Sequence, residues 1–333
     1  MKTNQELNPI KESELHSKNK KLFREFGILM VLAVIFVALS IASPSFLIPI
    51  NLINIVRQTV EIGIMAIGMT FIIIAGEIDL SVGSIFGATA MFAAVLFQKG
   101  TDPTLTFFFA IAMGSGIGFI NGFLSTKAKM PSFIVTLGIL QLFRSVAYGI
   151  SNGRSISSFP DSATNSWVFG FGGNIGIIPV QVIILVAFLV VAHFILKKTK
   201  LGFDTYATGG NKKAALLAGI NIDRVKMICF IIAGALCSFA GLISIAYLQS
   251  VPTTAGQGRE MDVIAAVILG GAALTGGRGS ILGTAIGALI MSIIKNGMVL
   301  LGVPAFWQTG FIGAVIILAV LLDTRISRSN SFK

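Results

Sequence analysis

The sequence predicts an all-α, polytopic membrane protein with about ten transmembrane helices. Three observations lead there. Of the 333 residues, 54% are hydrophobic and 12% charged, about half the charged share of a typical soluble domain. Apolar windows recur at lengths near the roughly 20 residues that cross a bilayer. Lysine and arginine, which give a net charge of +11, gather in a few segments that share one face if the number of spans is even. The cytoplasmic excess of positive loops then explains the charge without any role for nucleic acid.

Taken in order, the windows fall at 26–43, 55–75, 82–98, 104–125, 132–150, 178–196, 225–248, 262–275, 281–300 and 305–322. The first follows a long mixed-charge tail with Lys18, Lys20, Lys21 and Arg24 near the membrane. That lead is longer than a secretory signal's, so an uncleaved first span is expected although Ser40-Ile41-Ala42 offers small residues for cleavage. Residues 1–25 read as a cytoplasmic tail, 26–322 as the transmembrane domain and 323–333 as a second cytoplasmic tail. Six Lys or Arg lie in residues 1–25, two at Lys127 and Lys129, seven from Lys197 to Lys226, and three at Arg325, Arg328 and Lys333. All fall on one face of the layout, which places both termini in the cytoplasm. The opposite loops carry only the isolated Lys99, Arg154 and Arg259, and the longest of them, Ser151 to Ile177, is rich in Ser, Asn and Gly.

The two cysteines, Cys229 and Cys237, are eight residues apart on one expected helix, about 12 Å and beyond disulfide reach, so they read as apolar packers. A weak internal repeat is visible. GSIFGATA from Gly83 resembles GSILGTA from Gly279, and each follows a glycine-containing break, Gly76 in one case and Gly276-Gly277-Arg278-Gly279 in the other. The pattern predicts two structural repeats, each with a broken or re-entrant helix, as transporters use to build a central path.

The stretch GEIDLSVGSIFG, Gly76 to Gly87, sets two carboxylates between apolar spans. Gly76 and Gly83 relax the backbone, Ser81 is available to cap the following helix, and Ser84 lies in its first turn. Asp79 is placed to accept hydrogen bonds from the free N–H groups at that helix start. The expectation is that Asp79→Asn impairs folding or transport while Glu77→Gln is mild.

Between the sixth and seventh windows, about 199–224, lies a segment too polar for the bilayer. Asn211 can cap a two-turn helix over Lys212 to Leu217, with Gly219 placed to end it and flexible chain on either side. Ala214, Ala215 and Ala218 give this helix a small face suited to a groove in another protein.

Ionisable residues inside spans mark either a path or a structural pair. Arg57 and Glu61, four apart, are spaced to pair on one helix face. Arg144, with Gln141 one turn earlier, and Lys295 beside Asn296 lie deep enough to reach the outer interface by snorkelling or to face a path. A path for a neutral polyol needs amides, hydroxyls and an aromatic face. Asn121, Gln141, Arg144, Asn296, Trp307 and Gln308 are the candidates, with Tyr247 of the same type; no spacing ties them together. No metal or catalytic set is read from the sequence. There is no G-x-x-x-x-G-K-[ST], H-E-x-x-H or G-x-S-x-G motif, so any ATP-driven work needs another chain.

Three motifs carry a resemblance. GEIDLSVGS from Gly76, GGNKKAALLAGI from Gly209 and ILGGAALTGGRGSILGT from Ile268 resemble, in this chain order, the signatures of membrane permeases of sugar ATP-binding-cassette (ABC) importers of the ribose, xylose and galactoside type. With the span layout, the resemblance covers about Phe26 to Asp323. It implies that Gly210, Asn211, Ala214, Ala215, Gly219 and Ile220 form a coupling helix docked on an ATPase subunit, which holds the ATP and Mg; this chain carries no cofactor. It implies three further partners: an external or periplasmic sugar-binding protein, a second permease subunit, identical or similar, and the lipid of a bacterial inner membrane. The family usually spells Gly-Ile-Asp-Leu-Ser, so Glu77 departs from it. Two alternatives stand beside import of a ribose-like monosaccharide: a branched-chain amino-acid or nucleoside permease of the same superfamily, and an ion-coupled transporter using Glu77 and Asp79.

Overall fold

The computed structural model describes residues 27–331, and the expected tail over 1–25 lies outside them. The helices run α1 (Gly27–Ala42), α2 (Pro49–Ile74), α3 (Val82–Gln98), α4 (Pro103–Thr126), α5 (Ser132–Ile150), α6 (Asp161–Thr164), α7 (Trp167–Gly170), α8 (Val180–Lys198), α9 (Lys200–Gly210), α10 (Lys212–Leu217), α11 (Ile222–Leu248), α12 (Arg259–Leu269), α13 (Ile281–Leu300) and α14 (Ala305–Ser331). Four two-residue strands join them: β1 (Ile156–Ser157), β2 (Asn174–Ile175), β3 (Ile178–Pro179) and β4 (Ser250–Val251). β1 pairs antiparallel with β4 through Ile156 and Val251, and β2 with β3. Among the described residues six helices, α2, α4, α5, α8, α11 and α13, are long and apolar enough to cross a membrane.

At the centre stands α2, buried on every face from Thr59 to Ile74. A helix that is apolar all round belongs inside a bundle. Around it pack α8, α11, α12 and α13. α11 in turn packs along α4, and the closeness comes from small residues. Gly114, Gly118 and Gly122 stand four apart on α4; a methyl group at Gly118 would lie 2.2 Å from the Phe230 carbonyl oxygen of α11, and one at Gly234 would lie 2.1 Å from that of Gly114. In lipid, where apolar side chains gain nothing by leaving the solvent, such backbone-to-backbone approach is what holds helices together.

The layout expected from the apolar windows is recovered closely, with four corrections. α2 begins at Pro49 rather than 55, because proline suits the first helical position. α12 stops at Leu269 rather than 275, since Gly271 takes a left-handed φ of +84° that a helix cannot continue through. At 11 residues α12 rises about 16 Å, half a bilayer core. The final helix continues past 322 to Ser331, into the stretch expected as a tail. The long Ser151–Ile177 loop is folded: Phe159, Val168 and Phe169 tuck against Phe97, with Phe97 and Phe169 ring centroids 5.2 Å apart.

Candidate functional site at the two helix breaks

Both breaks start in the same way. After α2, Gly76 at φ +80° donates its N–H to the Ile73 carbonyl, and Glu77 donates to that of Ile72. After α12, Gly271 donates to Ile268 and Ala272 to Val267. These are paired C-terminal caps with a left-handed glycine, which satisfy carbonyls that a helix end leaves free.

Beyond the first cap, Asp79 is fully buried. Its Oδ1 accepts from the Ser81 N–H at 2.7 Å and the Ser81 hydroxyl at 2.5 Å, and its Oδ2 from the Asn121 amide at 3.4 Å. Asn121 also donates to Ser81 Oγ at 2.8 Å. Asp79 thus accepts a single backbone N–H, that of Ser81 just before α3, rather than the several free N–H groups of the helix start, and Ser81 does not cap α3: its hydroxyl is spent on Asp79. Ser84 donates to the Ser81 carbonyl at 2.9 Å, and the Leu80 N–H donates to Thr136 Oγ1 of α5 at 3.1 Å. Gly83 is required by closeness, since a methyl group there would sit 2.5 Å from the Gly256 carbonyl oxygen. The second break differs, for Ser280 does cap α13, accepting from the Gly283 N–H at 3.0 Å.

Glu77 is not idle. Its Oε2 accepts from the Ser132 hydroxyl at the start of α5 at 2.5 Å, and its Oε1 pairs with the Lys226 ammonium in the first turns of α11. Side-chain exposure is 7% for Lys226 and 15% for Glu77. One carboxylate therefore links the first break, α5 and α11.

The coupling-type segment meets both breaks. Asn211 caps α10, accepting from the Ala214 N–H at 3.1 Å, and Gly219 at φ +78° follows its end, as the sequence predicted. The expected flexible lead is instead α9, capped by Thr199. Its Gly and Thr content argues against a helix by propensity, but Gly202, Thr205 and Thr208 are buried and packing overrides. α9 ends on Gly209 and Gly210. A methyl group at Gly209 would lie 1.8 Å from the Ile74 carbonyl oxygen that closes α2, and one at Gly276 would lie 2.9 Å from Gly76 Cα and 2.8 Å from the Gly209 oxygen. The Gly277 N–H donates to the Ile74 carbonyl at 2.8 Å, and Tyr206 of α9 donates its hydroxyl proton to the Gly279 carbonyl at 2.8 Å. Arg278 is exposed, and its carbonyl accepts from Ala273 at 3.1 Å. Motifs about 130 and 65 residues apart in the chain thus meet backbone to backbone, which only glycine permits.

On α10 the exposed apolar residues are Leu216 at 61% and Leu217 at 91%. Ala214 is exposed too, but Ala215 is 3% exposed and faces the protein's own bundle, as Ile220 partly does. The expected alanine face is therefore divided, and the outward patch is leucine.

The candidate path residues are not brought together. Asn121 is fully buried in the Asp79 network. Gln141 is exposed on α5. Arg144 donates to the Ala255 carbonyl at 2.9 Å. Asn296 pairs with Asn51 and lines a polar cavity of about 450 Å³ with Gln181, Tyr247, Arg57 and Glu61. Trp307 lies at 65% exposure in an apolar cleft with Leu39 and Phe311, and Gln308 donates to the Val303 carbonyl. Arg57 does not pair with Glu61. It lies over the Tyr247 ring, 4.2 Å from its centroid, and donates to Asn174 at 2.8 Å, while Glu61 takes Arg259 at 2.5 Å. Lys295 does not snorkel; it pairs with the buried Asp262 at 2.6 Å. Glu61 and Lys295 pair with opposite charges on α12, because an unpaired charge costs several kcal/mol in a low dielectric, while Arg57 and Arg144 are held by polar and aromatic groups.

Sequence reasoning passed over Lys226, Ser132, Tyr206 and the contact made by Gly209, which the motif GGNKKAALLAGI placed only at the lead into α10. The doubled glycine at 209–210 was the available signal for the last; nothing local links Lys226 to a carboxylate 149 positions earlier.

Known membrane permeases are similar to this chain over most of its length. The ribose import permease protein RbsC of Bacillus subtilis (strain 168) is 41% identical over 325 residues, covering 96% of this chain and 100% of the relative. RbsC of Escherichia coli (strain K12) is 40% identical over 298 residues, 89% of this chain and 92% of that one. The xylose transport system permease protein XylH of Haemophilus influenzae (strain ATCC 51907 / DSM 11121 / KW20 / Rd) is 36% identical, with 89% and 95% covered. Residues 51–320 match the family described as the branched-chain amino acid transport system permease component, and the chain belongs to that family of membrane permeases.

Proposed function

We propose that the chain is the membrane-spanning subunit of an ABC importer that moves a ribose-like monosaccharide into the bacterial cytoplasm. The observation that carries this reading is α10: a capped helix held by its lead-in against both helix breaks and presenting Leu216 and Leu217 outward. Such a helix is built to receive force from a partner. That partner is the ATPase subunit, which holds ATP and Mg, and Gly210, Asn211, Ala214 and Gly219 with the two leucines meet it. The ten apolar helices α1–α5, α8 and α11–α14 then form the membrane domain, with α10 and both termini in the cytoplasm and the two breaks, each following a helix that runs inward, as repeated elements of a central path. A second permease copy completes the path, and a sugar-binding protein loads it from the opposite face.

The sugar assignment rests on relatives named for ribose and xylose import, whereas the family description names branched-chain amino acids. An ion-coupled reading loses its basis, because Asp79 and Glu77 are occupied by Ser81, Asn121, Ser132 and Lys226. The test is ATPase activity of the complex reconstituted in liposomes. Ribose-loaded binding protein is expected to raise it; stimulation by a leucine-loaded protein and none by ribose would overturn the substrate class.

A further inference from the structure

We propose that Gly209, held between Ile74 and Gly276, is a mechanical joint that delivers displacement of α10 to both helix breaks at once. The proposal rests on the importer reading above and adds the route by which ATPase movement enters the spans.

Three backbones occupy one point. The Ile74 carbonyl, the last of α2, accepts from Gly277 of the second break. Gly209 rests on that same carbonyl, and Gly276 rests on both Gly209 and Gly76. A side chain at Gly209 would push α9 away from the first break and the second together, since the nearest atoms are the Ile74 oxygen and the Gly277 nitrogen, at 1.8 and 2.7 Å from a built methyl. Tyr206, one turn earlier on α9, adds a direct bond to the Gly279 carbonyl, two residues before α13. α10 follows α9 after the single residue Asn211. A push on α10 therefore acts next to the contact: the end of α9 that joins α10 is itself pinned to the chain that precedes α13 and to the chain that follows α2.

Packed interiors switch between discrete arrangements rather than deforming smoothly. Because both breaks touch the same glycine, they are expected to switch together, so that α3 and α13 reorient in one step.

The test uses the full complex in liposomes with a fluorophore on Thr275→Cys. Thr275 is exposed in the second break, and the native Cys229 and Cys237 are buried and escape labelling. With ATP and ribose-loaded binding protein, the probe signal is expected to shift. Tyr206→Phe loses the hydrogen bond to the Gly279 carbonyl and is expected to lower the ratio of stimulated to basal ATPase about five-fold and to shrink the shift in proportion. Gly209→Ala is expected to cost more than about ten-fold in that ratio. Gly116→Ala on α4, with nothing within 4 Å of the added methyl and no part in the coupling contacts, stays within about two-fold. If Gly209→Ala does not assemble, Tyr206→Phe decides. A Tyr206→Phe complex in normal amount with the unmodified ratio and a full probe shift overturns the joint. A complex whose probe moves with ATP but whose ATPase ignores ribose overturns the substrate reading and leaves the joint standing.

Discussion

The Lys226 ammonium is paired with the Glu77 carboxylate across 149 positions, joining α11 to the first helix break in a setting where the two side chains are 7% and 15% exposed. Glu77→Gln is therefore not the mild change that the sequence suggested. It leaves a nearly buried ammonium facing a neutral amide, at a cost of about 3–5 kcal/mol. Adding Lys226→Met removes the stranded charge and is expected to recover most of the loss. Thermal unfolding of the detergent-purified variants checks this, and a Glu77→Gln midpoint equal to that of the parent would refute it.

Asp79→Asn is expected to destabilise by about 1–3 kcal/mol, because it turns a donor toward the Asn121 amide and one of the two groups must go unpaired. Asn121→Asp in the same chain restores a donor–acceptor pair and should raise the unfolding temperature again. Unfolding temperatures that place the double variant below both singles would show that the two side chains do not act as a pair.

Gly118→Ala on α4 should lower stability by about 1–3 kcal/mol, since its methyl meets the Phe230 carbonyl oxygen at 2.2 Å and the helices must part. Gly116→Ala, with nothing within 4 Å of the added methyl, should fall within about 0.5 kcal/mol of the parent. Equal midpoints for the two variants would mean that the α4–α11 contact is not what holds these helices.

Leu217→Glu should abolish copurification of the ATPase subunit while leaving the permease's unfolding temperature within about 0.5 kcal/mol equivalent, because the side chain is 91% exposed and supports nothing in its own chain. Retention of the ATPase at parental stoichiometry would place the docking contact elsewhere.

Much of the fold was legible because the bilayer imposes span length and charge bias directly on sequence. The windows at 82–98, 132–150 and 281–300 coincide with α3, α5 and α13. The Asn211 cap and Gly219 were legible because capping is local chemistry. What escaped detection is non-local. Arg57 and Glu61 have ideal spacing for one another, yet each is drawn to a partner on another segment, Tyr247 and Asn174 for the first and Arg259 for the second. α9 escaped because its stability lies in buried Thr205 and Thr208 rather than in propensity. The orientation of Ala215 escaped because a six-residue helix has too little periodicity to say which side faces in.

The most direct measurement of the central claim is accumulation of labelled ribose by proteoliposomes holding this permease, its ATPase and its binding protein. Uptake that requires ATP on the ATPase side and binding protein on the other, and that ignores an imposed proton or sodium gradient, is the predicted result. Equal uptake without ATP under an ion gradient, or ATP-driven uptake of leucine with none of ribose, would contradict it.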